Sequence, residues 1–187
     1  MSNIQTKTDI QQALQEANQH VTDVSKNVLA TDFLKGTSDN WSSADYLKHL
    51  ILSVKPFARG LSLPPEQREK IFKRADRASL TYDELVTRYQ QGIQAGVRAE
   101  NSPSFTPAQY KMPDEAEDIQ SHLISTWEDA CMRLMTALDQ WSEDDLDTFV
   151  VPHPALVEIT IREMCYFTIH HNRLHGNDIQ HAASFVS

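Results

Sequence analysis

The sequence has few of the residues that support disulfide-rich or turn-rich folds. It has two cysteines and five glycines in 187 residues. Cys131 and Cys165 lie beside methionines in amphipathic segments, where a thiol is an ordinary core group, so we expect both to be reduced and inert. The scarcity of glycine and the long stretches without glycine or proline disfavour tight hairpins and predict an all-α protein.

The chain also lacks an excess of positive charge and any long apolar run. Its net charge is -9, whereas nucleic-acid binding needs clustered Lys and Arg to neutralise phosphates. No segment approaches the roughly 20 apolar residues of a membrane-spanning helix, and residues 1–10 lack the apolar core of a secretion signal. We therefore predict no nucleic-acid partner, no membrane partner and a cytoplasmic location.

The length and the apolar periodicity predict one helical domain over residues 1–187, large enough to bury a core without disulfides. Long helices are expected at about residues 8–33, from residue 41, and at residues 113–141 and 161–183. Short helices are expected between the second and third, starting at Pro64-Pro65 and at a capping box around Thr81 that leads to about residue 97. Four long helices with one long connection describe a four-helix bundle.

Local signals refine these elements. Ser42 or Ser43 is suited to the N-cap of the second helix, and Asp45 to its first turn. Pro56 is expected to kink or shorten the end of that helix. Residues 149–154 should be extended because a residue before proline avoids the helical conformation, and Thr160 should cap the last helix.

Three histidines indicate a metal site. His171 and His175 are four residues apart and therefore project from one face of the last helix, and His49 lies on the apolar stripe of the second helix. An imidazole that faces a core must be satisfied, which metal ligation by one ring nitrogen and a hydrogen bond from the other achieve. Three nitrogens leave at least one coordination position for water or substrate, as in catalytic sites.

The alternative is that these imidazoles are exposed or merely hydrogen-bonded. His170 points about 100° away from the pair, and four further histidines have no convincing partner set and are assigned to surface or structural roles: His20, His122, His153 and His181. Asp45 and Asp178 are candidate acceptors for the ligand rings, although either carboxylate can simply be solvated. The candidate pocket-lining residues, which more often pack in a core, are Tyr46, Phe57, Trp127 and Tyr166.

Two segments resemble a known family. Residues 41–50, W-S-S-A-D-Y-L-K-H-L, are similar to the W-S-x-x-[DE]-x-L-x-H-L signature of the DinB/YfiT-like superfamily. Residues 153–164 and 171–179 resemble its H-P-x-x-G-x-[LI]-T-x-[RE]-E-[ML] and H-x-x-x-H-x-x-Q-[IL] motifs. Val157 stands where glycine is usual, and Asp178 stands where glutamine is usual.

The resemblance implies a DinB-like four-helix bundle, up and down with a long crossover, and commonly dimeric. It also implies a divalent Zn or Ni ion held by three histidines, which correspond to His49, His171 and His175. Relatives with a known activity are transferases or isomerases that use low-molecular-weight thiols such as bacillithiol, mycothiol or glutathione. A homodimer and a small thiol are thus the expected partners.

Three functions fit these observations. The first is a metal-dependent enzyme, either an S-transferase or isomerase that uses a thiol or a hydrolase that uses metal-activated water. No motif of a serine or cysteine nucleophile competes with it. The second is a non-catalytic bundle that binds a metal or a small ligand, and the third is a dimerisation module whose histidines are structural.

Overall fold

The computed structural model describes residues 4–37, 40–97, 104–114 and 118–184, and it is mostly helical. Its helices are α1 Lys7–Asn27, α2 Ala30–Phe33, α3 Ser43–Leu61, α4 Pro65–Ile71, α5 Tyr82–Gln94, α6 Ile119–Asp139, α7 Glu143–Thr148 and α8 Ile161–Ser184, with a 3₁₀ turn at Pro107–Gln109. The all-α prediction is confirmed. Within the described ranges, no helix is both long enough and apolar enough to cross a membrane.

The four long helices α1, α3, α6 and α8 form a bundle around one core. Helix α1 packs on α6 and α8, and α3 packs on the same two helices from the opposite side. Helices α3 and α6 run parallel, since the Trp141 indole N–H, just after α6, donates to the carbonyl of Leu61 at the end of α3 (2.8 Å). Parallel neighbours require a long connection, and α4 and α5 lie in this crossover, as predicted.

Capping boxes define the starts of the helices that carry the candidate site. The Ser42 hydroxyl accepts from the Asp45 backbone N–H, while the Asp45 carboxylate accepts from the Ser42 N–H. Thr160 and Glu163 make the same reciprocal pair at the start of α8. These first-turn hydrogen bonds satisfy backbone donors that have no partner within the helix. The predicted caps Ser42 and Thr160 are therefore confirmed.

Several predicted helix ends are wrong. The first helix ends at Asn27 rather than near residue 33, because Val28 and Leu29 are extended. The Gln120 side chain donates to the carbonyls of Ser25 and Val28 and so satisfies the end of α1 from α6. This cap from a distant residue ends the helix, although apolar residues continue at helical spacing beyond it.

Three other helix bounds also differ from the prediction. Helix α3 continues five residues beyond Pro56 to Leu61, so the expected shortening is wrong. Helix α5 ends at Gln94, three residues before the predicted end, and α6 begins at Ile119 with Asp118 as its N-cap rather than near residue 113. Residues 115–117 of the predicted start lie outside the described residues. A proline early in a helix is compatible with several starting points, and here a side-chain cap decides.

A small antiparallel sheet precedes α8. Its strands are β1 Lys73–Arg74, β2 Phe149–His153 and β3 Val157–Thr160, in the order β1-β2-β3. Residues 149–153 are extended as predicted, but the strands were not expected to pair. The hairpin between β2 and β3 contains no glycine, and Val157 takes the left-handed conformation (φ 69°) that glycine usually provides.

Replacing Val157 by glycine should stabilise the protein by about 1 kcal/mol. A β-branched residue at positive φ is strained, and the exposed Val157 side chain makes little packing to lose. Chemical denaturation measures the free energy of unfolding. Glu158→Gly is the control, since Glu158 is the next residue in an ordinary strand position, and glycine there should destabilise. A loss of stability in Val157→Gly would contradict the strain.

An ion pair between the buried Glu163 and the partly exposed Arg77 joins the crossover to α8. The Glu163 side chain is fully buried, accepts from Arg77 Nη1 at 2.6 Å, and also accepts from the backbone N–H groups of Leu80 and Thr160. Burial opposes ionisation, but Arg77 and the two N–H donors outweigh it and lower the pKa of Glu163. This carboxylate therefore fixes residues 77–80 against the start of α8.

Glu163→Gln should lower the free energy of unfolding by about 2–3 kcal/mol at pH 7, because it leaves Arg77 without its charge partner. Since the folded-state pKa lies below the ordinary value of 4.5, the contribution of Glu163 is complete above about pH 4.5. It is lost as the pH falls through the folded-state pKa. The gap between wild type and variant, measured by denaturation from pH 7 to pH 3, should therefore narrow only below about pH 4.5.

The matched control is Glu158→Gln, which removes the partner of Lys73 in an exposed ion pair. That variant should leave the free energy of unfolding nearly unchanged across the same pH range. Equal losses in the two variants would show that the Arg77–Glu163 pair has no special role.

Candidate metal centre

The packing of α3 against α8 brings the three predicted histidines together. The Ser43 hydroxyl donates to the carbonyl of Ile179 (2.8 Å), which sets the register of the two antiparallel helices. His49 lies six residues, or about 9 Å, further along α3. Residue 173 lies six residues before Ile179 on α8, midway between His171 and His175. His49 therefore faces the gap between these two rings.

Three imidazole nitrogens converge in that gap. The Nε2 atoms of His49 and His171 are 3.0 Å apart, and one nitrogen from each of the three rings lies within 4.8 Å of the other two. The ring centroids are 4.5–5.1 Å apart. The structure therefore juxtaposes the three residues that the sequence suggested.

Hydrogen bonds on the outer ring edges determine which nitrogens face inward. The Nδ1 of His49 is 2.7 Å from the carbonyl oxygen of Phe105, and the Nδ1 of His175 is 2.7 Å from a carboxylate oxygen of Asp178. Both oxygens accept hydrogen bonds, so each Nδ1 carries the proton and each neutral ring keeps its lone pair on Nε2. Two of the three rings thus direct an unprotonated nitrogen away from their outer partner.

Only one of the two predicted acceptors has that role. Asp178 holds His175, as expected. Asp45 instead accepts from Ser42 and Lys48 at the start of α3, so its assignment to His49 is wrong. The acceptor for His49 is a backbone carbonyl of the crossover, 56 residues away, for which the sequence carries no side-chain signal.

Burial keeps His171 uncharged. His49 and His171 are buried, and His175 is partly exposed. Burial, reinforced by the neighbouring His175 and His49, lowers the pKa of His171 well below its ordinary value. At neutral pH this ring is therefore an uncharged nitrogen donor, which is the form that binds metal ions.

The family model of the DinB superfamily matches residues 9–179. The chain belongs to the DinB superfamily. Comparison with curated proteins and with solved structures gave no match. DinB-like proteins bind divalent metals, and the three-histidine cluster of this member lies within the matched range.

The donor set of this DinB protein suits a transition metal. Two nitrogens bound at about 2.1 Å to one tetrahedral ion are roughly 3.4 Å apart, close to the 3.0 Å between the Nε2 atoms of His49 and His171. Neutral imidazoles without carboxylates suit Zn or Ni better than Mg or Ca. In the described part of the chain, the cluster has three members, so a fourth position remains for another ligand.

An apolar cavity of about 120 Å³ adjoins the cluster, with His49 and His171 in its wall. Its other prominent lining residues come from α5, the crossover, the β2–β3 hairpin and α8: Tyr89, Ile93, Phe105, His153, Met164 and Phe167. None of the four aromatic residues predicted to line a pocket does so here. Phe57, Trp127 and Tyr166 are buried in the core, and Tyr46 packs on the ring of His175.

The cysteines do not contribute to this site. Both are free and buried, and burial raises the pKa of Cys165 to about 12. A thiol with so high a pKa is protonated at neutral pH and unreactive, which agrees with the inert role predicted for them.

Asp178→Asn should weaken zinc binding by about tenfold or more, because an amide is a poorer acceptor for His175 than a carboxylate and does not fix its tautomer. Competition with a fluorescent zinc chelator measures the dissociation constant. Asp45→Asn is the matched control. It weakens a helix cap and lowers stability, but it should leave zinc affinity within about twofold of wild type. The reverse ranking of the two variants would refute the hydrogen-bond pattern described above.

Proposed function

We propose that this protein is a metal-dependent enzyme in which His49, His171 and His175 hold one divalent ion, Zn or Ni, beside an apolar cavity. The observation that carries this proposal is the convergence of one nitrogen from each of three imidazoles, two of which have their outer nitrogen occupied by an acceptor. A bound ion of this kind lowers the pKa of a coordinated thiol or water and so supplies a nucleophile near neutral pH.

The side chains around the cluster support a reaction rather than a purely structural role. Structural zinc sites are closed by four protein ligands, whereas three are described here. The cavity wall is mainly apolar, so it excludes water from a small substrate placed beside His49 and His171. We infer the transfer of a thiol, or of water, to a small electrophile.

Elemental analysis of untagged protein tests the ligand set. Wild type should contain about one transition-metal ion per chain, and His171→Ala should lose it. His170→Ala is the matched control, because this neighbouring histidine lies outside the cluster and its loss should leave the metal content unchanged. Full occupancy in His171→Ala would refute the assignment.

A rate measurement then separates an enzyme from a metal-binding bundle without activity. Zinc-loaded wild type should consume glutathione or cysteine in the presence of an aryl chloride faster than the same reaction without protein, and His171→Ala should not. A melting temperature that rises with zinc, together with no acceleration for either thiol, would favour the non-catalytic bundle.

A further inference from the structure

His153 is a buried polar residue that the proposed metal centre does not use. It ends β2, only 8 % of it is exposed, and its ring forms part of the cavity wall. The ring packs edge-on against Phe167, with centroids 4.3 Å apart, and Phe167 in turn stacks on His171. Hence one phenyl ring, that of Phe167, contacts both His153 and a member of the cluster.

The hairpin turn determines which nitrogen of His153 carries a proton. Its Nδ1 accepts from the backbone N–H of Ala155 at 3.1 Å. In a neutral imidazole the other nitrogen, Nε2, must then be the donor. Because Nδ1 faces the turn, Nε2–H lies on the ring edge that faces away from it.

That N–H donor has no acceptor within residues 4–37, 40–97, 104–114 and 118–184. The side-chain atoms that are shielded from solvent without a partner are Ser25 Oγ and Asn172 Oδ1 in the described residues, and His153 Nε2 is not one of them. The donor is therefore accessible at the cavity wall, where a ligand or a bound water can accept from it. Burial lowers the pKa of His153 to about 4. At neutral pH the ring therefore offers one N–H and no charge, which suits an uncharged acceptor rather than an anion.

The size and polarity of the cavity limit the ligand. An apolar cavity of about 150 Å³ holds one benzene molecule, and this cavity has about 120 Å³ with aromatic and aliphatic residues in most of its wall. Because the cavity is open to solvent on one side, it holds a single ring or a short branched aliphatic group of a molecule whose remaining atoms extend to its mouth. One acceptor oxygen on such a molecule would satisfy the donor of His153.

We propose that His153 determines substrate specificity: its Nε2–H donates to a neutral acceptor, such as a carbonyl oxygen, on a small apolar molecule held in the cavity beside His49 and His171. That the bound molecule is a substrate rests on the proposed function. The hydrogen bond itself does not require the metal.

The test compares acetophenone with isopropylbenzene, which have similar shapes but differ by the carbonyl oxygen. Dissociation constants are measured by NMR titration of chelator-treated protein, so that no metal competes for the oxygen. Wild type should bind both probes, and removing the donor of His153 should lower the affinity for acetophenone about tenfold relative to that for isopropylbenzene, since one hydrogen bond is worth about that factor.

Two substitutions separate the donor from the turn. His153→Asn retains an acceptor for the Ala155 N–H but withdraws the cavity donor toward the turn, so the affinity for acetophenone relative to isopropylbenzene should fall about tenfold while isopropylbenzene binds as before. His153→Gln places an amide N–H near the former Nε2 and should restore most of the ratio. Unchanged isopropylbenzene binding in both variants shows that the cavity is intact.

Three results would overturn the proposal: no binding of either probe to wild type, an unchanged ratio in His153→Asn, or no recovery in His153→Gln. A zinc titration of the same samples is read separately. Failure of zinc to bind would refute the proposed metal centre and leave the acetophenone ratio intact, whereas loss of the ratio alone would refute the role of His153.

Discussion

The candidate site depends on bringing three imidazoles together where α3 packs on α8, two of them buried and the third, His175, partly exposed. Each ring needs a partner for its outer nitrogen, because an unpaired polar group in a core is destabilising. Asp178, on the same helix as His175, and the Phe105 carbonyl, from the crossover, meet this need for two of the rings. The Ser43 bond to Ile179 then aligns the helices so that His49 lies between His171 and His175. A one-residue slip would turn His49 about 100° away from the pair.

This requirement also explains the long crossover between two parallel helices. The 3₁₀ turn at residues 107–109 lies beside α3, and Phe105, just before it, contributes both a hydrogen-bond acceptor and part of the cavity wall. The Arg77–Glu163 pair ties an earlier part of the same connection to the first turn of α8. Positions in the crossover therefore influence the site through α3 and α8 together, although none of them belongs to the histidine cluster.

The features that could be predicted from sequence are those encoded over short distances. The pair His171 and His175, the support of His175 by Asp178, and the caps Ser42 and Thr160 each depend on spacings of three or four residues, which a helix converts directly into contacts. The four-helix bundle could be predicted because apolar residues recur at the same spacing of three or four residues. For His49, the family resemblance and its place on an apolar stripe supplied the missing long-range information.

The features that were missed join residues far apart or involve backbone atoms. A backbone carbonyl such as that of Phe105 is present at every residue, so the amino-acid sequence does not identify it as an acceptor. The contact between Arg77 and Glu163 spans 86 residues, and the distant cap by Gln120 ended α1 where the period continued. The assignment of Asp45 to His49 was wrong because a carboxylate at this position can either cap the helix or accept from the histidine. The cap forms, and it requires no tertiary contact.

The hairpin before α8 illustrates how a local strain accompanies the site. The H-P-x-x-G motif that residues 153–157 resemble has glycine at the position of Val157, yet the turn keeps the left-handed conformation with valine in place (φ 69°). The neighbouring residues explain why the turn does not relax. His153 bonds the Ala155 N–H within the turn and lines the cavity, and Thr160 at the end of β3 caps α8. A different turn would shift the His153 ring and the start of the helix that carries His171. The backbone strain at the exposed Val157 therefore maintains the positions of the buried His153 and His171. This agrees with the tendency of strained backbone to lie beside functional sites.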